Sequence, residues 1–120
     1  MDRAWLRDWV DRYEHAWRTA GTGTLSGLFT ADASYRMSPY AEPARGLDAI
    51  ARLWEAEREG PDEVFTLQTE IVAVEGDTGV VRAEVTYGRP VRDRFRDLWI
   101  VMDGGGGRCR SFEEWPFWPE

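Results

Sequence analysis

Residues 95–115 read FRDLWIVMDGGGGRCRSFEEW, and their pattern is the clearest guide to the architecture of this chain. Two runs rich in bulky and β-branched residues, 95–102 and 108–115, flank an aspartate and four consecutive glycines. Such runs on either side of a glycine-rich connection are typical of a β-hairpin. The glycines precede a strand and not a helix, so they do not predict a phosphate-binding loop. We therefore predict a hairpin turn at 104–107.

The rest of the chain divides into a helical first half and a strand-rich second half. Apolar residues recur at helical spacing in the first half, whereas 64–87 holds two further strand-like runs separated by Glu75-Gly76-Asp77. This segregation is typical of an α+β domain with helices on one side of a mostly antiparallel sheet. The other predicted elements are helices over 5–20 and 24–29, a strand over 32–40, a helix from Leu47 that stops at Gly60 and Pro61, and strands over 64–75 and 79–87.

The composition narrows the function classes. The chain has 120 residues, which predicts a single domain over 1–120. Its 22 acidic and 15 basic side chains give a net charge of −7, which disfavours nucleic acid as a partner. One Cys and one His offer no ligand cluster of the zinc type, so no metal site is predicted. Without a long apolar run we expect no signal peptide, no membrane interaction and a cytoplasmic location.

Asp97 is the residue whose predicted surroundings most favour a role in acid/base catalysis. Arginines alternate at three positions of the strand around it, so Asp97 shares the opposite face with Phe95 and Trp99. If that face lines a cavity, burial raises the pKa of the Asp97 carboxyl and makes it a general acid or base near neutral pH. The alternative is an ordinary ion pair with Arg94, Arg96 or Arg110.

Several segments in order along the chain resemble one family. They are RYEHAW at 12–17, LFTADASYR at 28–36, SPY at 38–40, GLDAIARLW at 46–54, LWIVMDG at 98–104 and RCRSFEEW at 108–115. Together they resemble the SnoaL-like branch of the nuclear transport factor 2 (NTF2-like) superfamily. The resemblance implies a cone of curved, mostly antiparallel sheet, three N-terminal helices, an enclosed cavity and often a homodimer through the sheet. The family includes ketosteroid isomerases, polyketide cyclases and non-catalytic proteins, so fold alone does not assign a function.

The resemblance also suggests roles for individual residues. Tyr13 matches the tyrosine that donates to the substrate oxyanion in the isomerases, and Trp54 replaces a supporting tyrosine. Asp97 lies within one residue of the second carboxylate of that family. Ser38 stands where the isomerases carry their general base, and a hydroxyl alone cannot remove a carbon-bound proton at neutral pH. The isomerase mechanism is therefore incomplete here, and Ser38 is expected only to hydrogen-bond a substrate oxygen.

The last strand offers a second acidic candidate. Glu113 and Glu114 are adjacent, so their side chains point to opposite faces of the sheet. Trp115 is expected from the resemblance to line the cavity, which places Glu113 on the inner side; a solvated edge-strand glutamate is the alternative. The expected wall of the cavity is aromatic, although core packing would also explain each member alone. It comprises Tyr13, Trp17, Tyr35, Trp54, Trp99 and Trp115.

These observations lead to an enzyme hypothesis and two rivals. The hypothesis is a cofactor-free isomerase, cyclase or dehydratase acting on a hydrophobic small molecule, with Asp97 as acid/base, Glu113 as auxiliary and Tyr13 as hydrogen-bond donor. The first rival is a non-catalytic module that only holds such a ligand. The second is a dimeric accessory protein. The face opposite Asp97 carries Leu98, Ile100 and Met102, which a homodimer through the sheet would bury.

Overall fold

The structure is a computed structural model that describes residues 1–58 and 62–119. Within these ranges the chain forms two α-helices, one 3₁₀ turn and six strands. The helices are α1 (Arg3–Arg18) and α2 (Leu47–Glu57), and the 3₁₀ turn is Leu25–Gly27. The strands are β1 (Phe29–Arg36), β2 (Ala44–Arg45), β3 (Phe65–Glu75), β4 (Thr78–Tyr87), β5 (Asp93–Asp103) and β6 (Cys109–Phe117).

All six strands form one curved sheet in the order β2-β1-β6-β5-β4-β3. Neighbouring strands are antiparallel except β1 and β6, which are parallel. Register shifts occur in three of the strand pairs, and such bulges bend a strand and increase its twist. The predicted α+β cone with a mostly antiparallel sheet is therefore confirmed.

The inner face of the sheet packs against α1. Asp2 caps the helix by accepting a hydrogen bond from the Trp5 backbone N–H at 2.8 Å, and the fully buried Leu6 and Trp9 point from α1 into the core. The helix comes so close to β4 that a Cβ on Gly79 would lie 2.6 Å from the Leu6 side chain. The cavity therefore lies beyond this dense end of the core, towards the C-terminal end of α1. Neither described helix is long and apolar enough to cross a membrane.

The boundaries of the first half differ from the sequence prediction. The expected short helix over 24–29 is a single 3₁₀ turn, because Phe29 is fully buried and begins β1 opposite Cys109 of β6. The described chain thus has two α-helices where three helices were predicted. β1 begins before the predicted residue 32 and ends at Arg36. The predicted stop of α2 at Gly60 and Pro61 lies outside the described residues.

The predicted glycine hairpin between β5 and β6 is confirmed. Gly105, Gly106 and Gly107 have φ values of 93°, 64° and 76°, a region that residues with a Cβ rarely adopt. Directly after the turn, the pairing of β5 with β6 shifts register: Asp103 pairs with Cys109, but Met102 pairs with Ser111. Arg110 is therefore the extra residue of a bulge, and this bulge decides which residues of β6 face inward.

Candidate active site

A cavity of about 410 Å³ lies between the two helices and the inner face of the sheet. It is large enough for a small organic molecule. Eight of its eighteen lining residues are aromatic and seven are charged. The lining residues are Tyr13, Trp17, Tyr35, Met37, Leu53, Trp54, Glu57, Arg58, Glu63, Tyr87, Arg92, Asp93, Phe95, Asp97, Trp99, Glu114, Pro116 and Trp118.

Tyr13 is the centre of the aromatic wall. Its ring centroid lies 4.8 Å from that of Trp99, 5.1 Å from that of Trp54 and 6.2 Å from that of Trp17. These distances are within the range of favourable ring-ring contacts. The structure thus brings together five of the six aromatic residues that the sequence assigned to the wall, from α1, α2, β1 and β5. The exception is Trp115.

Two buried carboxyl groups lie among these rings. Trp99 of β5 is paired with Glu114 of β6, and Asp97 lies two residues from Trp99, so the three side chains share the inner face. Asp97 is 3% exposed and Glu114 is 7% exposed, and they are the only buried carboxyl side chains in the described part of the chain. Buried carboxylates are costly unless they are paired or protonated, so this pair requires a specific explanation.

A hydrogen-bond network holds the two carboxyl groups. Trp99 Nε1 donates to Asp97 Oδ2 at 2.8 Å, and the Tyr35 hydroxyl donates to Glu114 Oε1 at 3.0 Å. The hydroxyl oxygens of Tyr13 and Tyr35 are 3.1 Å apart. Because Tyr35 has one hydroxyl proton and donates it to Glu114, Tyr13 is the donor between the two tyrosines. The resulting chain runs from Tyr13 through Tyr35 to Glu114.

Burial and proximity shift the ionisation of the pair. Burial raises the pKa of Asp97, and it raises the pKa of Glu114 well above the ordinary range, with the neighbouring Asp97 raising the Glu114 value further. Two adjacent carboxyls in an apolar site do not both ionise easily, so a proton shared by the pair is favoured on Glu114, the group whose pKa is raised further. Burial likewise keeps the pKa values of Tyr13 and Tyr35 well above 10.0, so both remain neutral donors.

One oxygen of the Asp97 carboxyl, Oδ1, is buried and lacks a hydrogen bond of good geometry to any of the described residues. Two of the three alternative partners of Asp97 form ion pairs elsewhere: Arg96 with Glu84 at 3.3 Å and Arg110 with Asp77 at 2.6 Å. The carboxylate therefore lines the cavity with Oδ2 held by Trp99, and its other close side-chain partner is the Glu114 carboxyl.

Glu113 and Trp115 do not face the cavity. Glu113 is paired with Ile100 and Trp115 with Leu98, both on the outer face of the sheet, and Glu113 lies 3.8 Å from Arg36 in an ion pair. The sequence-based placement of these two residues on the inner side is therefore wrong, and Glu114 takes the inner position. The bulge at Arg110 is the cause, because one extra residue in a strand reverses the faces of all residues after it.

Ser38 is also placed differently from the prediction. It lies beyond the end of β1, outside the lining of the cavity, and its hydroxyl oxygen accepts a hydrogen bond from the Ala41 backbone N–H at 3.1 Å. The residue that stands where the isomerases carry a base is therefore part of a turn. No group of three or more metal-ligating side chains occurs within residues 1–58 and 62–119.

Comparison with known proteins identifies the family of this architecture. The family model described as a SnoaL-like domain matches residues 10–107. A protein from Jannaschia sp. CCS1, described as a candidate SnoaL-like polyketide cyclase, is 16% identical with a TM-score of 0.75, and the match covers 97% of this chain and 90% of that one. A ketosteroid isomerase-like protein from Erwinia carotovora atroseptica SCRI1043 is 19% identical with a TM-score of 0.66, covering 97% and 96%.

A third solved structure has no assigned function. The NTF-2 like protein of unknown function from Burkholderia xenovorans LB400 is 14% identical with a TM-score of 0.73, and the match covers 98% of this chain and 86% of that one. At these identities the likeness concerns the fold. No curated protein matches the sequence.

Proposed function

The chain belongs to the SnoaL-like domain family, and on that premise we propose that it is an enzyme that moves protons on a small hydrophobic substrate without a cofactor. The reaction class is isomerisation, cyclisation or dehydration next to a carbonyl group. One observation carries the proposal: a buried carboxyl pair, Asp97 and Glu114, lines a cavity whose wall is rich in aromatic side chains. Perturbed carboxyl groups in a cavity are a common feature of acid/base sites.

Asp97 acts as the general base. Its oxygen Oδ1 takes a proton from a carbon next to the substrate carbonyl, so that the C–H bond breaks and an O–H bond forms. The electron pair of the broken bond moves onto the carbonyl oxygen and gives an enolate. Asp97, now neutral, returns the same proton to another atom of the substrate. The raised pKa of Asp97 supports this role, because a base works best when its pKa is near the working pH.

Glu114 keeps the site at one negative charge. A protonated Glu114 stabilises the Asp97 carboxylate without adding a second buried charge. The hydrogen bond from Tyr35, itself oriented by Tyr13, fixes the Glu114 carboxyl in the cavity wall. Glu114 therefore replaces Glu113 as the auxiliary acid of the sequence-based hypothesis.

The aromatic wall orients the substrate and excludes water. The rings of Tyr13, Trp54 and Trp99 provide flat apolar surfaces in contact with one another, which suits a planar or polycyclic hydrophobic molecule. In such a site positioning contributes a large part of the rate.

A second candidate function is a binding module without catalysis. One observation favours it: the hydroxyl proton of Tyr13 is directed to Tyr35, so Tyr13 does not present a free donor to a substrate oxyanion. In that case the carboxyl pair serves only to bind a hydroxyl group of the ligand. Catalysis of proton exchange distinguishes the two functions.

The outer face of the sheet supports a homodimer as part of the proposal. Leu98 and Trp115 are paired across β5 and β6, and Phe117 farther along β6 is 62% exposed. Half-buried and exposed apolar side chains on one face are typical of an interface, and a second copy of the chain would cover them symmetrically.

Deuterium exchange tests the proposal without knowledge of the natural substrate. The probe is 2-tetralone in D₂O near neutral pH. Proton NMR follows the loss of its carbon-bound protons next to the carbonyl as they exchange with deuterium. We expect the protein to accelerate exchange, and Asp97→Asn to lower the acceleration at least about 100-fold, the usual minimum for a general base. Glu113→Gln is the matched control and keeps the wild-type rate, because Glu113 lies on the outer face. If the exchange rate were the same with the wild-type protein, with Asp97→Asn and in buffer alone, the enzyme hypothesis would be refuted and the binding module favoured.

A further inference from the structure

Buried polar atoms without partners are concentrated at the cavity. Four buried side-chain nitrogen or oxygen atoms lack a hydrogen-bond partner among the described residues. Three belong to residues that line the cavity, namely the acceptor Asp97 Oδ1 and the donors Trp54 Nε1 and Arg58 Nε. The fourth, Trp115 Nε1, belongs to the outer face of the sheet. A buried group without a partner is destabilising, so the two donors at one cavity wall indicate a missing acceptor.

The two donors lie at the C-terminal end of α2. Trp54 is in the last turn of the helix, and Arg58 directly follows its end, four positions later. Trp54 is 7% exposed, and the side chain of Arg58 is 4% exposed. Both groups are therefore shielded from bulk water.

The end of α1 holds the Arg58 guanidinium in place. Arg58 Nη1 donates to the Thr19 carbonyl at 2.7 Å, and Nη2 donates to the Gly21 carbonyl at 2.9 Å and to the Glu55 carboxylate at 2.5 Å, with which it forms an ion pair. These bonds use the two terminal nitrogens and leave Nε as the donor without an acceptor. A fixed cation with an unused donor is well suited to bind an oxygen that gains negative charge.

We propose that Trp54 Nε1 and Arg58 Nε form a subsite for the carbonyl oxygen of the substrate, so that the substrate is a hydrophobic ketone whose carbonyl faces α2. This inference rests on the proposed function, because the same oxygen receives the electron pair when Asp97 removes a proton from the neighbouring carbon. Trp54, Arg58 and Asp97 line the same cavity, and the Tyr13 ring contacts both Trp54 and Trp99, the residue that holds Asp97. The subsite also supplies the oxyanion donors that Tyr13 does not present.

Two aromatic compounds of nearly the same shape test the subsite. In 2-acetylnaphthalene a carbonyl oxygen occupies the position that a CH₂ group occupies in 2-isopropenylnaphthalene. We expect the wild-type protein to bind the ketone about tenfold more tightly, as measured by calorimetry, since one or two additional hydrogen bonds are worth roughly that factor. In Trp54→Phe the preference falls to about threefold or less. Trp115→Phe is the matched control, because it loses an equally unpartnered indole outside the cavity, and it keeps the preference.

A spectroscopic measurement on the unmodified protein complements the variants. The indole N–H signal of Trp54 is identified as the one lost in Trp54→Phe, and we expect it to move downfield with the ketone and not with the isopropenyl compound. The subsite would be overturned if the wild type bound the two compounds with equal affinity, or if the ketone did not change the chemical shift of the Trp54 indole N–H. The subsite and the proposed catalysis can fail separately. If the wild type does not accelerate exchange of 2-tetralone but Asp97→Asn still binds the ketone more tightly than the isopropenyl compound, the catalysis is refuted and the subsite is retained.

Discussion

Replacement of Glu114 by glutamine is expected to change how stability depends on pH. A glutamine has the shape of a protonated glutamate: its oxygen can accept from Tyr35 as Glu114 Oε1 does at 3.0 Å, and its amide can donate to Asp97. Glu114→Gln is therefore a permanent copy of the neutral form that burial favours. The two proteins should have nearly the same stability at acidic pH, where Glu114 is protonated in both the folded and the unfolded chain.

The sign of the effect follows from the raised pKa of Glu114. The folded chain holds the Glu114 proton to higher pH than the unfolded chain does, so the stability that this proton provides is complete below the unfolded value and is lost as pH rises through the folded one. Above that range the wild type has lost about 1.4 kcal/mol for each unit by which the folded pKa exceeds the unfolded one. The variant has no such loss, so it should be the more stable protein at alkaline pH.

Urea unfolding from pH 4.5 to 9 measures the difference between the two proteins. We expect the difference in free energy of unfolding to be small at the acid end and to grow in favour of Glu114→Gln by at least about 1.4 kcal/mol towards the alkaline end. Glu113→Gln is the control and should not acquire this pH-dependent gain, since Glu113 is ion-paired with Arg36 on the outer face. Parallel stability curves for the wild type and Glu114→Gln would refute a protonated, buried Glu114.

Three further predictions address the network, the dimer and the thiol. Tyr35→Phe leaves Glu114 without its donor and should lower the free energy of unfolding by about 1–3 kcal/mol in urea melts; an unchanged value contradicts the network. Leu98→Glu should convert the proposed dimer to monomers, as measured by light scattering, because it would bury a charge in the dimer interface on the outer face. A wild-type protein that is already monomeric would refute the dimer. Burial raises the pKa of Cys109 to about 12, so the native thiol should react with a disulfide reagent only after unfolding, and fast labelling of the native protein would contradict this.

The sequence predicted the surroundings of Asp97 well because they depend on one strand. Alternation along β5 alone places Asp97 with Phe95 and Trp99, and no distant contact is needed to choose between the two faces. The helical spacing in α1 likewise places Tyr13 on the buried face. These local patterns were sufficient to place Asp97, the proposed base, and most of the aromatic wall on the inner side.

Glu114 was missed because its position depends on a feature that local patterns do not encode. Asp103 is paired with Cys109 next to the turn. If the pairing continued from there without a bulge, Trp115 would lie opposite Asp97, on the inner face. The bulge at Arg110 shifts the register by one residue and brings Glu114 inward. One local signal was available: Cys109 and Phe112 are both apolar although three residues apart, which is incompatible with strict alternation on one face. The missing helix has a similar cause, because the parallel pairing of β1 with β6 takes Phe29 into the sheet.

Carbon-13 NMR titration of the side-chain carboxyl groups measures whether Asp97 and Glu114 share a proton. In the wild type we expect one carboxyl of the pair, Glu114, to hold its proton where ordinary glutamates have lost theirs, because burial and the Asp97 charge raise its pKa. In Asp97→Asn the pKa of Glu114 should fall towards the value set by burial alone. Titration of both Asp97 and Glu114 at ordinary carboxyl values, unchanged in either single variant, would contradict the shared proton and with it the proposed acid/base site.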